Sequence, residues 1–288
     1  MFTLISWNIQ SGRSPDGKPD LDRIIACLER FGRHDILCLQ EVSDGYAEGG
    51  DQFAALRAGI PGHAAIEALA LDTAVPGAAP DGPRRRLGSM IFSRHPVLQV
   101  LRHLLPWPAD PVVPSMPRLA LEVTVAAPGG LLRILNVHLE YFSLQQRLAQ
   151  VDALRGLQQE AAVHARRGRA SGRGAFEAVP RPLPALMAGD FNMLPGSPEH
   201  ARLLAPFDDD TPAWQDAWQA LQPGRRHAPT VGLHDTDPQA APPFTFDYVF
   251  ASADLEPRLR RMRVDASEQG SDHQAISVEL DWHRNGRH

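Results

Sequence analysis

The sequence predicts an α/β chain in which a pair of mixed sheets is covered by helices. Three observations carry this. The chain opens as strand, helix, strand. The later strand candidates are numerous and mostly short, with helices falling between pairs of them, which fits two mixed sheets better than one parallel sheet. The composition, 43% hydrophobic and 22% charged over 288 residues, is that of a globular protein able to bury a full core without disulfide or metal staples.

The elements follow in order. Phe2 to Asn8 is an apolar strand, followed by a polar Gly/Pro loop from Gln10 to Pro19. Asp20 stands at a helix N-cap; Leu21, Ile24, Ile25, Leu28 and Phe31 recur at helical spacing, and Gly32 ends the helix. Ile36 to Gln40 is a short, continuously apolar strand of the fully buried kind. Thr73 to Pro83 reads as a loop; Leu87 to Ser93 and Val97 to Leu101 read as strands joined across Arg94-His95-Pro96. The prolines between Pro106 and Pro117 exclude regular structure there. Leu119, Leu121, Val123 and Val125 alternate as in a half-buried strand, Pro128-Gly129-Gly130 turns the chain, and Leu131 to Val137 returns as a hairpin partner. Ser143 and Gln146 form a capping-box pattern ahead of a long helix marked by Leu144, Leu148, Val151 and Leu154 and fading near Arg166. Residues 166–182 are rich in Arg, Gly, Ala and Pro and are expected to be a mobile loop. Pro184 to Ala188 is a strand, Ser197-Pro198 starts a helix, and Gln222 to Pro243 is a second long polar loop. Thr245 to Ala251, Leu259 to Val264 and Ala275 to Asp281 are the closing strands.

Composition and charge exclude several classes. No apolar run approaches the ~20 residues of a membrane span. The N-terminal stretch has neither a basic flank nor a small-residue cleavage site, so a cytoplasmic protein is expected. The net charge of −5 gives no global attraction to DNA or to anionic membranes, so any polyanion must be held by local arginine clusters. The short basic runs Arg84 to Arg86, Arg225-Arg226 and Arg258 to Arg263 read by default as solvated faces. The two cysteines, Cys27 and Cys38, lie in apolar stretches and are expected to be buried free thiols. No internal repeat and no Gly-rich phosphate loop is present.

The chemistry-bearing residues gather at strand ends: Asn8, Glu41, Asn136 and His138, Asp190 and Asn192, and Asp272 and His273. Taken singly, each has an ordinary reading as a turn former or a solvated polar group. Asp247 is different. An acid within Phe-Asp-Tyr-Val-Phe needs a buried partner, and His273 is a candidate.

Six words occur in order: SWNI, LQEV, NVHL, GDFN, FDYVF and SDH. They extend from Asn8 to His273, nearly the whole chain, and their order resembles the endonuclease/exonuclease/phosphatase superfamily. That group includes pancreatic deoxyribonuclease, abasic-site endonucleases, neutral sphingomyelinases, inositol polyphosphate 5-phosphatases and tyrosyl-DNA phosphodiesterases. IFSRHPV and Arg118 in PRLALEV are softer matches to the same pattern. The resemblance implies a four-layer α/β/β/α sandwich of two mixed, mostly antiparallel sheets, with the site at one end of both. It implies one catalytic domain over 1–283, with 284–288 as a tail; a monomer is expected.

The resemblance also implies roles. Mg²⁺, with Mn²⁺ as a substitute, would be held by Glu41 first, by Asp272 directly or through water, and by Asn8, oxygen donors of the kind a hard cation takes. Asp190 and Asn192 would position the attacking water and a phosphate oxygen. Asp247 would fix the tautomer of His273 and favour its charged form, the pair either activating water or stabilising the transition state. His138 would stabilise the phosphate or protonate the leaving group, with Arg118 and Asn136 as further phosphate-binding residues.

Two departures bear on the substrate. Pancreatic-type nucleases pair the first histidine with a glutamate just before a core strand, and Arg84-Arg85-Arg86-Leu87 offers no acid. The arginine that many members carry before the third acid is replaced by Thr245-Phe246. The expectation is a metal-dependent phosphodiesterase with nuclease-like activity. The alternatives are a phospholipid or phosphorylated small-molecule hydrolase and, more remotely, an inactive binding module.

Overall fold

The computed structural model describes residues 1–14, 17–46, 50–235 and 239–283. The strands are β1 (Phe2–Asn8), β2 (Ile36–Asp44), β3 (Ala64–Ala74), β4 (Arg84–Ser93), β5 (Val97–Leu104), β6 (Leu119–Ala127), β7 (Gly130–His138), β8 (Ala185–Asp190), β9 (Trp214–Asp216), β10 (Asp247–Ser252), β11 (Leu259–Val264) and β12 (Ile276–Leu280). The helices are α1 (Leu21–Arg30), α2 (Gln52–Gly59), α3 (Leu144–Arg167), α4 (Pro198–Leu204) and α5 (Ala217–Leu221). The strands form two six-stranded sheets, ordered β11-β12-β1-β2-β4-β3 and β5-β6-β7-β8-β10-β9. β1 with β2 and β7 with β8 are parallel; the other pairings are antiparallel.

Three apolar interfaces make four layers. Leu4, Ile36, Ile91, Leu121, Ile134, Leu186 and Val249 meet between the sheets. Ile5, Trp7, Ile24, Leu28, Phe53 and Leu56 pack the outer face of the first sheet under α1 and α2. Leu135, Val137, Val151, Leu154, Met187 and Leu203 do the same for the second sheet under α3 and α4. The central strands are covered on both faces, which is why β8 and β10 read as near-continuous apolar runs; β6, expected to be half-buried, is buried on both faces too, and its alternation comes from Glu122, paired with Arg181, and Thr124.

The start signals act as read. Asp20 accepts from the Arg23 amide, Ser143 from Gln146 and Ser197 from His200. The capping box is only half formed, because the Gln146 side chain donates instead to Pro108 O and Ser115 Oγ, tying α3 to the proline-rich segment. Several expectations are corrected. α2, β3, β9 and α5 were not anticipated. The loop at 73–83 begins two residues too early, since Thr73 and Ala74 end β3. β4 begins at Arg84, so the arginine run is strand, with Arg84 and Arg86 facing Asp72 across the hairpin. β10 begins at Asp247, not Thr245. Arg181, inside the segment expected to be mobile, is buried and forks onto Glu122 at 2.8 Å through both Nε and Nη2. Cys27 and Cys38 are buried free thiols in different layers. The expected tail at 284–288 and parts of the two polar loops, at 15–16 and 236–238, lie outside the described residues.

Candidate active site

The sheets present their functional side chains at one shared end. In the second sheet the register puts His138 beside Asp190 across β7 and β8, and Asp190 beside Asp247 across β8 and β10. Three chemistry-bearing residues thus form one row over three strands. Gly189 makes this pairing possible: its φ is +145°, and a Cβ there would lie 1.9 Å from the Val137 carbonyl oxygen. Two residues on, Asn192 turns the chain with φ +49°; its amide donates to Asp190 Oδ1 at 2.9 Å and its side chain to Leu139 O at 2.9 Å.

The first sheet faces this row. Glu41 sits at an irregularity between Leu39 and Val42 where β2 slips against β4, and its φ of +57° is unusual for a glutamate. Such backbone outliers are held by the surrounding structure and concentrate at functional sites. Asn8, at the end of β1, donates through Nδ2 to Glu41 Oε1 at 3.1 Å and to Asp190 Oδ2 at 3.0 Å, so one amide joins the two sheets. Asp272 and His273 lie in the turn leading into β12. Gln10 Nε2 donates to Asp272 Oδ2 at 2.8 Å, and Trp7 Nε1 donates to His273 O at 2.9 Å.

Two histidines flank Asp190 Oδ2: His138 Nε2 is 3.6 Å away and His273 Nε2 3.8 Å. Their environments differ. His273 Nδ1 is 2.8 Å from Asp247 Oδ2, the partnership expected for the acid in its apolar strand. His138 Nε2 is 2.9 Å from the Arg118 guanidinium, so that ring nitrogen accepts and the ring is neutral. Burial, then Arg118, then His273 push His138 well below its ordinary range. Burial would lower His273 as well, but Asp247 and then Asp190 reverse this and hold it well above that range. Burial drives the Asp190 carboxyl up to about 7, with the His273 charge opposing and Asp247 reinforcing the rise. A neutral and a cationic histidine on either side of one buried acid is the separation that acid–base chemistry requires.

The donor chemistry suits a hard cation. Glu41, His138 and Asp190 offer ligand atoms within 4.8 Å of one another, as do Asp190, Asp247 and His273. In the first group His138 is engaged by Arg118, and in the second Asp247 and His273 are engaged with each other, which leaves carboxylate oxygens of Glu41 and Asp190 as the donors. Asp272 belongs to neither group. Asn136 lies apart from the centre. It is fully buried between the sheets, donating to Leu39 O and Met90 O and accepting from Gln40 Nε2 at 2.7 Å.

Sequence reasoning missed four contributors. Thr230 donates to Asp247 Oδ2 at 2.7 Å and accepts from the Asp247 amide, yet it lies in a polar loop with nothing to mark it. Ser271 donates to Asn8 O at 2.8 Å and Gln10 restrains Asp272; Ser271 is the first residue of SDH and Gln10 directly follows SWNI. Glu140, two residues past His138, is fully buried with Oε2 at 3.3 Å from Arg118 Nε, and a buried acid needing a cation was the available signal.

The model of the Endonuclease/Exonuclease/phosphatase family matches residues 5–273. No curated protein matches the chain significantly. Solved structures superpose over almost its full length. An endonuclease/exonuclease/phosphatase from Beutenbergia cavernae is 23% identical, covering 98% of this chain and 72% of that one, with a TM-score of 0.64. A mannosyl-6-phosphatase from Bacteroides thetaiotaomicron is 19% identical over 97% and 99%, with a TM-score of 0.68. A 3' phosphatase from Neisseria, bound to a product DNA hairpin, is 18% identical over 98% and 100%, with a TM-score of 0.61. At these identities the likeness carries the fold.

Proposed function

Since the chain belongs to the endonuclease/exonuclease/phosphatase family, whose members are phosphoester hydrolases, we propose that it hydrolyses a phosphodiester with the help of a divalent cation, Mg²⁺ or Mn²⁺. One observation carries this reading above the others: Asp190, buried at the junction of both sheets, is joined to Glu41 through Asn8 and flanked by a neutral and a cationic histidine.

Glu41 would hold the cation together with a carboxylate oxygen of Asp190, Asn8 fixing both carboxylates, and Asp272, outside both donor groups, would act through water. The bound cation would neutralise charge on the phosphate oxygens. Asp190 would accept a hydrogen bond from the attacking water, oriented by Asn192. His273, kept cationic by Asp247, would donate to a non-bridging phosphate oxygen; Arg118 and His138 would meet the oxygens on the opposite side. Asn136 takes the role of a tie between the sheets in place of a phosphate ligand, because both ends of its amide are engaged.

The test is a panel of DNA, RNA, sphingomyelin, inositol phosphates and a chromogenic phosphodiester, assayed with Mg²⁺ and Mn²⁺. Nucleic acid is first among the substrates, with phospholipid or a phosphorylated small molecule next. Turnover of at least one phosphoester that stops in excess EDTA and returns with metal is the expected result. No hydrolysis of any member of the panel, with either metal, overturns the reading.

A further inference from the structure

Among the described residues, eleven large apolar or aromatic side chains are exposed, and seven lie on or beside three loops at the site end of the second sheet. Leu104 ends β5 and Trp107 and Val112 follow it in the β5–β6 connection, Phe142 lies in the β7–α3 turn and Leu144 opens α3, and Leu194 is in the segment after Asn192. Tyr141, the seventh, packs edge-on against Phe142 and Phe246. Trp107 is 51% exposed, Phe142 56% and Val112 84%.

The loops are stitched into one surface. Ser143 Oγ donates to Asp110, Gln146 to Pro108 O and Ser115, and Asn192 to Leu139 O. They are also almost without charge. Residues 105–117, 139–146 and 191–197 include two charged side chains, Asp110 and Glu140, in a chain that is 22% charged. Glu140 is fully buried against Arg118, and Asp110 is half-buried against Ser143. An apolar patch of this kind on a protein surface marks an interaction site.

We propose that this rim docks the protein on a zwitterionic phospholipid bilayer. A polynucleotide would need phosphate-neutralising cations, and these loops expose none. A folded partner brings a polar rim and direct hydrogen bonds that this nearly uncharged surface does little to answer. A bilayer asks for neither. Exposed Trp, Tyr, Phe and Leu side chains enter the interface to a depth of about 5–10 Å, and the one partly exposed charge, Asp110, is tied to Ser143. The proposal rests on the phosphoester-hydrolase reading for why the surface borders the site, while docking itself is measured without turnover.

The experiment is flotation of the full chain with phosphatidylcholine vesicles, together with tryptophan emission. Trp7, Trp214, Trp218 and Trp282 are buried, so a blue shift reports Trp107. Expected are co-flotation that persists in 1 M salt, where the Debye length is about 3 Å, and a blue shift that disappears in Trp107→Phe. A Phe142→Ser/Leu144→Ser double variant should partition at least ~10-fold less, with its melting temperature and its turnover of the soluble chromogenic phosphodiester unchanged. Absence of flotation, or flotation that requires anionic lipid and vanishes in 1 M salt, overturns the proposal. So does a rim that instead carries self-association in sedimentation, or single-stranded DNA binding lost in the same variants. Loss of soluble-substrate turnover in the wild type would count against the hydrolase reading alone.

Discussion

Replacing Asp247 by asparagine separates charge from shape at the centre of the site. Asp247 Oδ2 accepts from His273 Nδ1 at 2.8 Å and from Thr230 Oγ1 at 2.7 Å. An amide oxygen can occupy the same place and keep both donors, so the ring stays oriented while the charge favouring imidazolium is gone. Asp247 Oδ1 is buried with no hydrogen-bond partner. The amide nitrogen would inherit that position as an unsatisfied donor, costing about 1–3 kcal/mol of stability, which a melting curve measures separately. A positioned acid–base group contributes about 10²–10⁴-fold, so kcat for Asp247→Asn should fall by at least ~10²-fold, about 2.7 kcal/mol in the barrier. His273→Ala should cost at least as much. The double variant should be little worse than His273→Ala, because groups acting as one unit are not additive. The assay is kcat on a soluble chromogenic phosphodiester for both single variants and the double, with a metal titration for each; the metal requirement should change little. Multiplicative losses would refute the idea that the pair works as a unit.

Three further outcomes are expected. Stripping the metal with EDTA should abolish turnover and Mn²⁺ or Mg²⁺ should restore it; full activity of the stripped protein would dismiss the metal. Glu122 is buried against Arg181, with Arg133 Nη1 at 3.7 Å and His103 at 3.2 Å; burial would raise its pKa, but these partners outweigh it and hold the carboxyl at about 2. Its stabilisation is therefore present above the ordinary carboxyl range and lost as pH falls toward 2. Glu122→Gln should cost about 3 kcal/mol at neutral pH in a denaturant titration, because it takes the carboxylate from the buried Arg133 guanidinium and leaves Arg181 only the exposed Glu160. Trypsin should cut first at Arg169 or Arg173, in the stretch left between the end of α3 at Arg167 and the buried Arg181; first cleavage within a core strand would contradict the mobility expected there.

The strands and helices with continuous apolar faces were legible because burial on both sides leaves a run that composition alone reveals. The words at strand ends were legible too, and eight of the residues they named converge, or border the convergence, around Asp190. What escaped has physical reasons. β3 carries polar and small residues because it is an edge strand facing solvent along much of its length, so no period stands out. β9 and α5 are three and five residues long, too short for any pattern. Thr230 matters through two hydrogen bonds made across a distance of 17 positions, and a threonine in a polar loop looks the same with or without them. Asn136 was legible as a polar residue at a strand end but not as a tie, since only the facing sheet decides which way its amide turns.

The place of β12 has a consequence for biosynthesis. It lies between β11 and β1, so a late segment of the chain fills an interior position in the sheet that the first residues began. The turn that delivers it carries Asp272 and His273. A nascent chain can make most of the second sheet and still hold an open first sheet with neither residue in place. The candidate site is therefore complete only once residues 271–280 have been translated and inserted. A chain broken off before that point would lack Asp272, His273 and the strand that sets them between β11 and β1.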